Sequence, residues 1–230
     1  MLYFVHGLNG SAKNWINFID FFSKRDFQCE AIELKEGINL KKAHLMDYVN
    51  IVSKVVDEGD VLIGHSMGGL IMQKVAEQTP IKAGIGLCSA SPEGIPMKKI
   101  PWRRQLRYVP NFITNIPFKP SFSLVKEIFI NGLDQQHQRD IYRQLHPQSV
   151  HVSWEVMKQK IAIDEHNIHC PLFFIGRSDD RMIPVDIIKK LAKKYNAPYE
   201  LVDGNHYIFY DWKKIAEIIL SFIRKLDEKN

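Results

Sequence analysis

Long apolar runs and paired cysteines are scarce in this sequence of 230 residues. No run reaches the roughly 18 apolar residues that span a bilayer, so we expect no membrane-spanning segment. The opening residues, MLYFVHG, lack the basic region and the small-residue cleavage site of a secretory signal. The three cysteines, Cys29, Cys88 and Cys170, are scattered and odd in number, which is typical of reduced thiols rather than of a disulfide framework. We therefore expect a cytoplasmic protein.

Acidic residues are missing from one long basic segment, residues 95–126. The net charge of the chain is +5, but this segment alone holds seven basic side chains, so the remainder of the chain is slightly acidic. Such a distribution is not that of a protein that coats nucleic acid, and we expect no nucleic-acid partner. The basic residues are Lys98, Lys99, Arg103, Arg104, Arg107, Lys119 and Lys126.

Short apolar runs alternate with amphipathic runs along most of the chain. Strand–helix alternation predicts an α/β fold, a mostly parallel central sheet flanked by helices, which binds ligands beyond the carboxyl ends of its strands. Pro184 is predicted to open the first turn of its helix, and Asp211 to cap the last helix. The predicted strands are residues 2–5, 27–34, 61–64, 83–88, 172–176 and 199–204, and the predicted helices lie near residues 12–24, 41–57, 67–78, 184–195 and 211–226.

The alternation stops between about residues 91 and 167. This stretch contains several prolines and short helix-like pieces such as FSLVKEIFING and SWEVMKQKIA, and none of its runs predicts a strand. We interpret it as a helical insertion between two strands rather than as an independent domain. The chain is therefore predicted to be a single domain, residues 1–230, with a helical cap at about residues 91–167.

Three glycines surround one serine in the sequence GHSMGG, residues 64–69. Glycine weakens helices and strands alike, so this spacing indicates a demand on backbone geometry. The run VLIG before it predicts a strand, and GLIMQKVAEQ after it predicts a helix. A serine at such a turn takes a strained conformation that lifts its hydroxyl above the sheet edge, and side chains at Gly64 or Gly68 would block the close approach of strand and helix. Ser66 is therefore a candidate nucleophile.

Four motifs of this chain resemble the α/β-hydrolase superfamily, in the order that the superfamily uses. They are FVHGLNGS after the first strand, GHSMGG at the serine, GRSDDRMIP, and DGNHY near the end. The resemblance covers most of the chain and implies an α/β-hydrolase fold with the catalytic order serine, aspartate, histidine. It implies that Ser66 is the nucleophile and that His206 is its base.

The position of the catalytic acid is open between two adjacent residues. Counting forward from Gly176, the spacing of the superfamily falls on Asp179. Counting back from Pro184, it falls on Asp180. We prefer Asp180 because DRMIP resembles the superfamily more closely, and Asp179 is the alternative acid.

The resemblance also implies an oxyanion hole, formed by the backbone N–H groups of Leu8 and Met67. His6 and His65 resemble structural positions at which an imidazole ties a loop to its neighbours. They are not expected to act as bases.

Together these parts predict a serine hydrolase that cleaves a small-molecule carboxylic ester through an acyl-enzyme. A thioesterase, a C–C hydrolase or another acyl-transfer enzyme would use the same triad, and a poorly catalytic ligand-binding receptor would keep it. No cofactor is expected. The sequence HNIHC, residues 166–170, offers two imidazoles and a thiol, but no fourth ligand is evident and we expect no metal site.

The basic segment also carries aromatic residues, namely Trp102, Tyr108, Phe112 and Phe118. We favour a solvated outer face on a cap whose aromatic side chains cover the pocket. The alternative is a weak contact of the basic cap with an anionic membrane surface, into which these aromatic side chains would insert. In either case an insertion at this point of the fold is expected to act as a lid that selects substrate.

Overall fold

The computed structural model describes residues 1–97 and 101–228, so Lys98 and Lys99 of the basic segment and the side chain of Trp102 lie outside the description. Six strands form one sheet: β1 (Leu2–Val5), β2 (Cys29–Ile32), β3 (Val61–His65), β4 (Ala83–Leu87), β5 (Leu172–Arg177) and β6 (Tyr199–Val202). Their order is β2–β1–β3–β4–β5–β6, and every neighbouring pair is parallel. The predicted parallel sheet is confirmed.

Helices follow the strands in the predicted alternation. They are α1 (Ile16–Ser23), α2 (Leu45–Ser53), α3 (Met67–Gln78), α4 (Trp102–Gln105), α5 (Val109–Thr114), α6 (Phe122–Ile128), α7 (Gln135–Gln144), α8 (Val150–Met157), α9 (Val185–Lys194) and α10 (Lys213–Asp227). Within the described ranges, none of the helices is long and apolar enough to cross a bilayer.

Alternating side chains of the strands form two apolar layers, one on each face of the sheet. In β1, Leu2 and Phe4 pack into the layer that contains the buried residues of α1 and α10, whereas Tyr3 and Val5 pack into the layer that contains those of α2, α3 and α9. A period of two along the strand and burial on both sides are typical of a doubly covered parallel sheet. The sheet therefore presents its carboxyl edge as the place where loops from several strands meet.

The segment between β4 and β5 contains the helices α4 to α8, and we call this segment the cap. Among its described residues no strand occurs, and one isolated antiparallel bridge joins Phe118 to Gln148. The buried side chain of Gln148 accepts a hydrogen bond from the hydroxyl of Tyr48 on α2 at 2.7 Å. This contact fastens the cap to the body of the domain.

Two predicted helix starts are wrong by a residue or two. The last helix begins at Lys213 with Trp212 as its N-cap residue, and Asp211 instead pairs with the buried guanidinium of Arg177. Pro184 stands at the N-cap of α9 and not in its first turn. In the first case a long-range ion pair displaces the local capping role that the sequence suggests.

Candidate active site

Ser66 occupies the turn between β3 and α3 with φ 55° and ψ −116°, a backbone conformation that residues other than glycine rarely adopt. The glycines on either side permit this turn because any side chain at their positions would overlap backbone atoms. A Cβ on Gly64 would lie 2.0 Å from the carbonyl oxygen of Gly68, and a Cβ on Gly68 would lie 2.2 Å from that of Val5. The strained conformation of Ser66 is therefore held by the close packing of β1, β3 and α3.

Three side chains from three loops meet at the carboxyl edge of the sheet. Ser66 follows β3, Asp180 follows β5 and His206 follows β6. Oγ of Ser66 lies 3.0 Å from Nε2 of His206, and Nδ1 of His206 lies 2.7 Å from Oδ2 of Asp180. Because a carboxylate only accepts hydrogen bonds, Nδ1 carries the proton and Nε2 accepts from the serine hydroxyl. All three residues are buried, so solvent weakens these hydrogen bonds little.

The two adjacent aspartates have different surroundings. Asp180 is buried, and its Oδ1 accepts the backbone N–H groups of Met182 and Ile183, both at 2.8 Å. Asp179 is exposed, and its backbone carbonyl oxygen accepts from the side chain of Asn131 at 3.1 Å. The structure therefore places the carboxylate of Asp180, and not that of Asp179, against His206.

Leu8 and Met67 flank the serine on two sides. Met67 begins α3, and a backbone N–H in the first turn of a helix has no intrahelical acceptor. Leu8 lies in the loop after β1 and lines the same pocket as Ser66. This loop packs directly on the serine turn, since a Cβ on Gly7 would lie 3.0 Å from Cβ of Ser66. The role of the two N–H groups as oxyanion donors stays a prediction.

A mostly apolar pocket opens above Ser66 and His206, with an empty volume of about 560 Å³ when solvent at its mouth is counted. One wall comes from the loop after β1 and from the residues around the serine. The opposite wall comes from the cap, which contributes Pro120, Val125, Phe129, Ile130, Ile141 and Leu145. The wall that a bound molecule would meet on the cap side is therefore apolar.

Comparison with known proteins places this chain in a family. The profile of the alpha/beta hydrolase family matches residues 2–218, which is nearly the whole chain. The chain belongs to the alpha/beta hydrolase family. The resemblance carried by the four motifs is thereby confirmed, and a search of curated proteins by sequence gives no match.

Solved structures share the fold of this alpha/beta hydrolase over its full length. An extracellular alpha/beta-hydrolase from a Paenibacillus species superposes with a TM-score of 0.75 at 15% identity, covering 96% of this chain and 97% of that one. A methylesterase from Arabidopsis gives 0.75 at 14% identity, covering 97% and 99%. A carboxylesterase from the thaumarchaeon Nitrososphaera gargenis gives 0.74 at 18% identity, covering 100% and 91%. At these identities the likeness shows the fold alone.

The hydrogen-bonded side chains of Ser66, His206 and Asp180 are called the relay below. Two further histidines of this alpha/beta hydrolase lie beside the relay but are not part of it. His65 donates from Nε2 to the backbone carbonyl oxygen of His206 at 3.0 Å, and burial holds the pKa of His65 well below its usual value, so its ring is neutral. Nδ1 of His6 lies 2.9 Å from the carbonyl oxygen of Gly7, and Nε2 lies 3.2 Å from Oε1 of Glu33. Both imidazoles therefore tie a loop of the site to its surroundings.

Cys88 touches the relay, a contact that the sequence does not indicate. The other two cysteines, Cys29 and Cys170, are only half-buried. Cys88 is buried, and its Sγ lies within 4.8 Å of a carboxylate oxygen of Asp180. Burial, followed by the charge of Asp180, raises the pKa of this thiol well above its usual value, so it stays protonated. Its place directly after β4, at the edge where Ser66 and Asp180 lie, is the signal that could have found it.

Arg177, at the end of β5 and within the motif GRSDDRMIP, is a buried arginine for which the sequence indicates no role. Its Nη2 pairs with a carboxylate oxygen of Asp211. Gly204 packs on the same guanidinium with φ +128°, and a Cβ at this position would lie 1.8 Å from Nη2. Arg177 therefore braces the loop DGNHY, which carries His206, and the glycine of that motif makes room for the guanidinium.

The cap is hydrogen-bonded to the loops that follow β1, β5 and β6. The side-chain amide of Asn9, in the loop after β1, donates to the backbone carbonyl oxygen of His146 at 2.8 Å. The side-chain amide of Asn131, in the cap, donates to the backbone carbonyl oxygen of Asp179 in the loop after β5. The backbone carbonyl oxygen of Asn131 accepts from the side-chain amide of Asn205, in the loop after β6, at 2.9 Å. These hydrogen bonds fasten the cap to the loops that carry Asp180 and His206.

Among the described residues, the side chains of HNIHC do not form a cluster that could hold a metal ion. A different cluster of potential ligands is present. In that cluster, ligand atoms of Cys88, Asp180 and His206 lie within 4.8 Å of one another. These residues follow the neighbouring strands β4, β5 and β6, so the order of the sheet accounts for their proximity.

Proposed function

We propose that this protein is a serine hydrolase that cleaves an uncharged carboxylic ester. The observation that carries the proposal is the buried chain of hydrogen bonds from Oγ of Ser66 through His206 to Asp180. A serine hydroxyl is a weak nucleophile, and an imidazole held in one orientation by a carboxylate is the arrangement that activates it.

In the proposed reaction, Oγ of Ser66 attacks the ester carbonyl while its proton passes to Nε2 of His206. Asp180 keeps the ring oriented and stabilises the imidazolium. The oxyanion of the tetrahedral intermediate would accept hydrogen bonds from the backbone N–H groups of Leu8 and Met67. His206 then gives its proton to the leaving alcohol, which leaves the acyl group on Ser66. A water molecule that loses its proton to Nε2 of His206 attacks this acyl-enzyme, and His206 gives that proton to Oγ of Ser66 as the bond to the acyl group breaks and the carboxylic acid leaves.

The pocket lining supports an uncharged substrate. Among the described residues that line it there is no lysine, arginine, aspartate or glutamate, so a charged group on the substrate would lose its hydration without gaining a partner. The names of two neighbours of the same fold, a methylesterase and a carboxylesterase, favour an ester over the other bonds that a serine triad cleaves.

Hydrolysis of p-nitrophenyl esters tests this function. We expect saturable release of p-nitrophenol from the acetate and the butyrate, and a much lower kcat/KM for the hemisuccinate, whose acyl group resembles that of the butyrate in size but carries a carboxylate. A thioester of butyrate in the same panel measures how strictly the enzyme selects the oxygen ester.

Variants at two serines complete the test. Ser66→Ala should lower kcat at least about a thousand-fold, because the nucleophile is lost. Ser221→Ala, at an exposed position on α10, should leave kcat unchanged. Equal rates for Ser66→Ala and the unaltered protein would contradict the proposal.

A further inference from the structure

The cap carries a stripe of apolar side chains that faces solvent. Leu106, Val109 and Ile113 are spaced three and four residues apart, which puts them on one face of the helical stretch formed by a 3₁₀ turn, Leu106–Tyr108, and α5. They are exposed by 53%, 43% and 77%. A surface helix normally turns its polar face to water, whereas these three apolar side chains face water.

Other exposed apolar side chains adjoin the stripe. Phe112 and Ile116 belong to the same segment, and the exposed ring of Trp154 on α8 lies 5.6 Å from that of Phe112. Contiguous exposed apolar surface of this kind marks an interaction site more often than scattered residues do. We define the cap patch as Leu106, Val109, Phe112, Ile113, Ile116 and Trp154.

Cations border the cap patch. Arg107 is exposed within the segment, and Nζ of Lys158 lies 4.8 Å from the ring centre of Trp154. Arg104 pairs with Glu127 at 2.8 Å, but residues 95–126 themselves contain no acidic side chain. Glu155, which follows Trp154, pairs with His44, so cations predominate beside the apolar surface, and they complement an anionic surface.

We propose that the cap patch docks on an anionic lipid bilayer. Leu106, Val109 and Ile113 enter the boundary between headgroups and acyl chains, while Arg107 and Lys158 contact lipid phosphates. Apolar side chains on one face with cations beside them are the two features by which a short helix binds such a surface. A partner protein would need a matching apolar and acidic face, whereas a bilayer supplies both at once.

The docked orientation has a consequence for substrate access. The segment that carries the cap patch runs on to Phe118, whose carbonyl oxygen accepts from Asn9 at 3.3 Å, and to Pro120, which lines the pocket. Docking therefore brings the pocket close to the lipid surface, where an uncharged ester dissolved in the bilayer is available. This consequence rests on the proposed function, and the docking itself does not.

Sedimentation with vesicles tests the docking. We expect the protein to sediment with vesicles of phosphatidylglycerol and phosphatidylcholine and to remain in solution with vesicles of phosphatidylcholine alone. The double variant Leu106→Ser/Ile113→Ser should lower the partition coefficient at least about ten-fold, because two exposed aliphatic side chains no longer enter the lipid. Ile16→Ser removes an isoleucine that is 68% exposed outside the cap and should leave it unchanged.

A second pair of variants tests the charges. Arg107→Gln/Lys158→Gln should weaken binding to the anionic vesicles more than Lys213→Gln/Lys214→Gln, which removes the same charge from an exposed part of α10. Raising the salt concentration should weaken binding of the unaltered protein. Ser66→Ala should bind vesicles as well as the unaltered protein, so loss of ester hydrolysis and loss of docking are separate results.

Three results would overturn the docking. They are the absence of sedimentation with anionic vesicles, equal sedimentation of Leu106→Ser/Ile113→Ser and the unaltered protein, and equal binding to anionic and zwitterionic vesicles. Light scattering provides a further check without lipid. The unaltered protein could fail to bind vesicles and form a dimer that Leu106→Ser/Ile113→Ser dissociates. That result would assign the cap patch to contact with a second copy of this chain.

Discussion

Oδ2 of Asp180 accepts a hydrogen bond from Nδ1 of His206 at 2.7 Å, while the carboxylate of the preceding residue, Asp179, is exposed to water. Asparagine at position 180 would no longer hold the imidazole in the required tautomer. Asp180→Asn is therefore expected to lower kcat for a p-nitrophenyl ester about a thousand- to ten-thousand-fold. Asp179→Asn is the matched control and should leave kcat close to that of the unaltered protein. If Asp180→Asn were fully active and Asp179→Asn inactive, the catalytic acid would be Asp179.

The protonated thiol of Cys88 lies within 4.8 Å of the same carboxylate, so its removal should loosen the orientation of Asp180. Cys88→Ala is expected to lower kcat several-fold with little change in KM, because the thiol acts through Asp180 and does not line the pocket. Cys88→Ser restores a donor and should recover most of the loss. A serine variant as impaired as the alanine variant would show that packing, and not the hydrogen bond, matters at this position.

Gly204 has a positive φ and packs on the guanidinium of Arg177. Gly37 has φ +69° but no atom within 4 Å of the Cβ that it lacks, so it is a control for backbone strain without overlap. Gly204→Ala should therefore lower the free energy of unfolding by about 1–3 kcal/mol more than Gly37→Ala does. Urea titration of both variants measures the difference. Equal losses would mean that the guanidinium moves aside freely.

Glu33 should make the protein sensitive to acid. Burial alone would raise the pKa of Glu33, but hydrogen bonds from His6 and from the backbone N–H of Ala12, with the charge of His6, outweigh it and lower the pKa from 4.5 to about 2. A carboxylate whose folded pKa is lowered stabilises the fold above its unfolded pKa, and this contribution is lost as pH falls from 4.5 towards 2.

Between pH 7 and pH 3 this loss amounts to roughly 2 kcal/mol of the free energy of unfolding. Glu33→Gln should therefore lose less stability over that interval than the unaltered protein, as measured by urea titration at both values. Glu36→Gln, at an exposed neighbouring position, should follow the unaltered protein. Identical pH dependence of Glu33→Gln and the unaltered protein would contradict the lowered pKa.

Local signals in the sequence were sufficient for the sheet and for the serine turn. The apolar runs predict all six strands, and the glycines around Ser66 predict a strained turn whose cause is visible in the contact of Gly64 with Gly68. The choice between Asp179 and Asp180 could not be made from spacing. It depends on the loop conformation that lets Oδ1 of Asp180 accept two backbone N–H groups.

The features that the sequence did not reveal depend on partners distant in the chain. Asp211 looks like a helix cap, but its partner Arg177 is 34 residues away and buried. The contact between Cys88 and Asp180 joins residues that follow two neighbouring strands of the sheet. Such pairs follow from the sheet order and not from any local pattern, so they become evident only once the strands are assembled.

Covalent labelling of the serine tests the central claim most directly. Treated with a fluorophosphonate, the protein should gain the mass of one phosphonyl group, and peptide mass spectrometry should locate it on Ser66. Ser66→Ala should gain none, and His206→Ala should be labelled far more slowly because the hydroxyl has lost its base. An unlabelled intact protein, or a phosphonyl group on another residue, would contradict the claim that the hydroxyl, the imidazole and the carboxylate act as one unit.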